Sequence, residues 1–114
     1  MQKKIELFND GIINVLDVDD GVIKETLYKN IHFGNRTYGV KRFFKAKDSG
    51  SVIERLISVP DNFMISRDNL IELKEFRTGE TKLYEIVMYQ PKYDTMPQSI
   101  YLTLRKPSIE YSRI

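Results

Sequence analysis

The stretch LYKNIHFGNRTYGVKRFFKAKDSG, Leu27 to Gly50, contains the break on which the fold turns. Its first seven residues alternate. Leu27, Lys29, Ile31 and Phe33 fall on one side and Tyr28, Asn30 and His32 on the other, which is the period of a strand. From Gly34 onward the alternation stops. Gly34 to Gly50 carries five cations before its first acid, Asp48, with three aromatics and three glycines. In VKRFFKAK, Val40, Phe43 and Phe44 stand at i, i+3 and i+4, one face of a short helical turn. Gly50 suits a left-handed stop to such a helix. Alternation then resumes in SVIERLISV, with Ile53, Ile57 and Val59 one way and Val52, Glu54, Leu56 and Ser58 the other. The reading is strand, excursion over residues 36–51, strand.

Outward from this break the period of two persists. KLYEIVMYQ and SIYLTLRK are rich in β-branched and aromatic residues, and NLIEL is a shorter run of the same kind. Turn signals separate the runs: Asp20-Gly21, Pro60-Asp61-Asn62, Thr78-Gly79 and the segment from Pro91 to Pro97. Strands recurring at this spacing predict an all-β fold, a small antiparallel barrel or sandwich with a long central loop or short helix. Leu27, Ile31, Phe33, Ile57, Ile86, Leu102 and Leu104 are its expected core. Residues 1–106 read as one domain. Residues 107–114 begin at a proline that ends the last strand and read as a C-terminal tail, a candidate docking arm.

The chain has 114 residues, the size of one domain. It has no cysteine, which removes disulfides and thiolate chemistry and fits a reducing compartment. Its net charge of +2, from 18 Lys+Arg and 16 Asp+Glu, is too balanced for a general polyanion binder. MQKKIELFND has no apolar run behind it and is not read as a signal peptide. No stretch approaches the ~20 apolar residues of a membrane-spanning helix.

Catalytic and metal-binding patterns are not found. His32 is the only histidine and reads as a polar strand residue rather than a ligand, since no second His or Cys accompanies it. DVDDG, Asp17 to Gly21, fails the spacing of a calcium loop, because Leu16, Val18 and Leu27 would occupy ligand positions. Asp20-Gly21 is instead a favoured hairpin turn, both residues tolerating positive φ. No glycine loop suited to phosphate is present. No cofactor or metal is expected, and no enzymatic activity.

The basic excursion admits three readings: a solvated loop, a nucleic-acid contact in which cations release counterions from phosphates, or a protein interface anchored by Phe43 and Phe44. Composition leaves these open. The order of elements adds a further indication. From Ile5 to Lys106 the chain resembles the tailed-phage head–tail joining proteins, also called head-completion or stopper proteins. A strand leads into a segment shaped R-x-(F/Y)-x-A, matched by Arg42, Phe44 and Ala46. A D-x-(I/V) strand opening is matched by Asp68, Leu70 and Ile71. A Y-x-I strand after a glycine turn is matched by Tyr84 and Ile86, and a final strand of alternating leucines by Leu102 and Leu104.

The resemblance implies a barrel whose copies assemble into a ring below the portal or adaptor, close the DNA channel and offer a docking face to the tail. The implied ring-interface or channel-loop residues are Arg36, Lys41, Arg42, Phe43, Phe44, Lys45 and Lys47. The implied partners are further copies of the chain, the portal or adaptor protein, and a tail-terminator or tail protein, with only weak contact to packaged DNA in the lumen and no membrane. The implied location is the virion, after assembly in the host bacterial cytoplasm. Residues 107–114 have no counterpart in the family. The alternatives are a β-barrel module for single-stranded nucleic acid and a tail-terminator or tail-tube subunit. Ring number and the oligomeric state of the isolated chain are left open.

Overall fold

The computed structural model describes residues 4–36 and 53–113. They form nine strands and no helix: β1 (Lys4–Ile5), β2 (Gly11–Asp19), β3 (Val22–Arg36), β4 (Arg55–Pro60), β5 (Leu70–Glu75), β6 (Thr81–Lys92), β7 (Thr95–Met96), β8 (Ser99–Arg105) and β9 (Ser112–Arg113). Strands β2, β5, β6, β8, β4 and β3 follow one another in hydrogen-bonded order, and β3 pairs back onto β2. The result is a closed six-stranded barrel, antiparallel at every junction. The molecule is therefore all-β, and of the two predicted arrangements it adopts the barrel.

Closure follows from the alternation. The inward set Ile13, Val15, Ile31, Phe33, Ile57, Val59, Ile71, Leu73, Tyr84, Ile86, Ile100, Leu102 and Leu104 packs into one core. Six of the seven residues expected inside belong to it. Leu27 does not; it is 40% exposed. Between the pairs Ile13↔Ile31 and Val15↔Tyr28 the register shifts, with β2 advancing by two residues and β3 by three. Asn30 absorbs the extra residue at φ 56, and its N–H donates to Asn14 Oδ1 at 2.9 Å. A bulge of this kind exchanges the faces of the residues that follow it, here until the next shift between Val15 and Leu16. Tyr28 is turned onto the core and Leu27 is turned out.

The hairpin between β2 and β3 turns at Asp20 (φ 51) and Gly21 (φ 76), as the sequence predicts. β4 is buried on both faces: Leu56 and Ser58 are as enclosed as Ile57 and Val59. The alternation of Leu56 to Val59 therefore marks two covered sides rather than one wet and one dry.

Two flanking segments lie on the outside of the barrel. β1 pairs in parallel with β7, Lys4↔Thr95 and Ile5↔Met96, and carries the N-terminal strap across β3, β4 and β8. The C-terminal segment, read from sequence as a docking arm, joins its own barrel. β9 pairs in parallel with β3, Val22↔Ser112 and Ile23↔Arg113. Tyr111 packs on a second, smaller apolar cluster of Leu16, Ile23 and Leu70.

Candidate functional site at the excursion rim

The last residues of β3 and the first of β4 are direct neighbours, with Gly34↔Ser58, Asn35↔Ile57 and Arg36↔Leu56 in register. The excursion thus leaves and rejoins the barrel at one end, on adjacent strands. Of the seven proposed interface residues only Arg36 is among the described residues. Lys41, Arg42, Phe43, Phe44, Lys45 and Lys47, with the predicted short helix, lie outside them.

Arg36 is tied into a buried network. Its Nε donates to Glu6 Oε2 at 2.7 Å, and its guanidinium also pairs with the same carboxylate through Nη2. Nη1 donates to the Asn35 carbonyl at 2.6 Å and Nη2 to the Leu7 carbonyl at 2.8 Å. Glu6 also accepts from Tyr101 Oη at 2.7 Å and Ser58 Oγ at 3.1 Å. Burial pushes the Glu6 carboxyl up. The hydrogen bonds from Tyr101, Arg36 and Ser58 and the charge of Arg36 overcome this and hold it below the ordinary carboxylate range. Burial and the adjoining Glu6 push the Tyr101 phenol up.

The strap can lie this close because of Gly34. A Cβ there would stand 2.2 Å from the Leu7 carbonyl oxygen and 2.6 Å from Arg36 Nη1. Beside it, Arg55 caps the barrel end. Its guanidinium lies 5.7 Å from the centre of the Phe33 ring and 6.0 Å from that of Tyr84. It donates to Asn35 Oδ1 at 2.7 Å and approaches Glu75 at 3.7 Å. The two feet of the excursion are therefore each fixed by an arginine, Arg36 on the Glu6 carboxylate and Arg55 against Phe33, Tyr84 and Glu75.

A second carboxylate anchors the C-terminal segment. Glu85 accepts from Arg105 Nε (2.9 Å), Ser108 N–H (3.1 Å) and Tyr111 Oη (2.6 Å). Burial and the Glu85 carboxylate push the Tyr111 phenol up to about 12. At the far end of β4, a cleft of about 480 Å³ is lined by Asp61, Phe63, Met64, Ile65, Ser66 and Tyr89.

His32 is exposed and rests edge-on against Phe76, ring centres 6.0 Å apart. Among the described residues no group of three or more His, Cys, Asp or Glu side chains is placed to hold a metal ion. Sequence reasoning missed Glu6, which stands between Ile5 and Leu7 and shows nothing locally of its buried partners. It also missed Glu85 and the cleft. Comparison with protein-family models, with curated proteins and with solved structures finds no match to this chain.

Proposed function

We propose that the chain is a structural, non-enzymatic subunit of the head–tail connector of a tailed phage or prophage particle. Its copies form a ring below the portal or adaptor, close the DNA channel and present the surface on which the tail docks. The observation that carries this reading is where residues 37–52 are inserted. They lie between hydrogen-bonded neighbours of a barrel whose six strands already close without them. A segment that closure does not need, rich in cations and carrying two adjacent phenylalanines, is suited to meeting other chains. The resemblance in the order of elements supports the same reading. DNA contact in the lumen is weak, because a channel through which DNA slides must not hold it.

The test is particle assembly. In a phage carrying Phe43→Ala/Phe44→Ala, filled heads and free tails are expected to accumulate unjoined. Normal infectious particles would overturn the reading. Tight, salt-sensitive binding of single-stranded nucleic acid by the purified chain would favour the nucleic-acid module instead.

A further inference from the structure

The cleft beyond β4 lies against the edge of the core, where Ile65 is buried and Phe63 and Tyr89 pack on it, and its chemistry matches a segment of the same sequence. Its apolar wall is built by Phe63 and Ile65. Phe63 is braced edge-on by Tyr28, ring centres 5.2 Å apart, and the Tyr28 hydroxyl accepts from Met64 N–H at 3.3 Å. Met64 stands at the lip, 86% exposed. An unbranched thioether in that position repacks around an incoming ring at little cost. The cleft, of about 480 Å³, is open to solvent along one side, a form suited to side chains laid against it from another surface. Asp61 supplies negative charge beside the Tyr89 hydroxyl, which burial and then this carboxylate push up.

We propose, taking the connector reading as its setting, that this cleft seats Phe43 and Phe44 of a second copy of the chain, with Arg42 or Lys45 of that copy facing Asp61. Two adjacent phenyl groups flanked by cations, VKRFFKAK, complement an apolar cleft with a carboxylate at its mouth. Placement favours a second copy over the chain's own segment. The excursion is rooted where β4 begins and the cleft opens where β4 ends. Its six residues at about 3.3 Å each separate the two by about 20 Å, a distance the seven residues that follow Arg36 in the same chain, up to Phe43, could cover only if almost fully extended. Contact between opposite ends of identical barrels is heterologous, and repetition of such a contact closes a ring when its rotation closes.

Two experiments decide it. The full-length chain, isotopically labelled, is titrated with a synthetic peptide of residues 39–47 and with the same peptide carrying alanine at 43 and 44. Amide shifts are expected at 61–66 and 89, with the alanine peptide weaker by about tenfold or more. Asp61→Asn should weaken the native peptide severalfold, and salt should shrink that difference. Shifts elsewhere, equal responses to both peptides, or no response would overturn the proposal.

The chain has no cysteine, so Phe43→Cys and Met64→Cys can be placed on separate chains and mixed. A disulfide joining the two chains in the assembled ring is expected. A bond forming only within a chain bearing both substitutions would overturn the choice of a second copy. A ring without the bond would overturn the seat and leave the connector reading standing. If no ring forms on the portal or adaptor in the particle, the connector reading falls, and the peptide titration still decides the seat.

Discussion

Glu6 is a buried carboxylate on which three side chains converge. A carboxylate enclosed this fully is tolerated only because Arg36, Tyr101 and Ser58 satisfy it. Hydrogen bonds to a charged group contribute about 1.5–3 kcal/mol, so Glu6→Gln is expected to destabilise the barrel by about that much, read as a fall in melting temperature. The pH dependence has a definite sign. The folded pKa lies below the ordinary value, so the stabilisation is complete above about pH 4.3 and is lost as pH falls through the lowered folded value. The acid limb of the stability curve should flatten in Glu6→Gln. Gly34→Ala should drive the strap off the rim, since the new Cβ meets the Leu7 carbonyl. Faster amide exchange at residues 6–8 would report it, and wild-type protection there would refute it.

The strands separate what a linear pattern can specify from what it cannot. Alternation of Ile31 with Phe33 and of Leu102 with Leu104 is enough to assign those residues to the core, because one face of each strand has to be buried. Asp20-Gly21 was legible as a turn because only certain residues accept its backbone. The displacement of Leu27 was not legible, since it depends on Asn14 holding the Asn30 N–H from another strand. The Glu6 network was hidden for the same reason: Glu6 and Tyr101 are 95 positions apart in the chain. The docking of residues 107–113 rests on Glu85 and on a cluster assembled from three strands. Leu104→Ala is accordingly expected to cost about 2–5 kcal/mol. Leu27→Ala should change stability by only about 0.5 kcal/mol. Similar losses in denaturant titrations of the two would show that the bulge is misplaced.

The same element scale makes the C-terminal segment testable. Tyr111 is neutral at physiological pH, and its raised pKa means that its contribution is complete below about pH 10 and is lost as pH rises through about 12. Ultraviolet titration should find a tyrosine ionising near that value. Tyr111→Phe should remove one tyrosine from the late-ionising group, in which Tyr89 and Tyr101 are also raised, and lower the melting temperature. An unchanged late amplitude would show that Tyr111 is not held by Glu85.

For the whole molecule, a barrel that closes without the excursion predicts a separation of folding from assembly. Phe43→Ala/Phe44→Ala should melt within a few degrees of the wild type and yet leave heads and tails unjoined. A large loss of melting temperature would instead make the two rings part of the protein's own stability.

The pairing of β3 with β4 at the excursion's feet also has a mechanical meaning. Both strands end at the same rim, so a pull on the excursion draws them in the same direction. It does not peel one from the other. The load passes sideways into β2 and β8, across hydrogen bonds that run perpendicular to the force. Bonds so arranged share a load in shear and yield together, whereas bonds pulled open from one end yield in turn. A load applied at the excursion would therefore be met in shear by both strands at once.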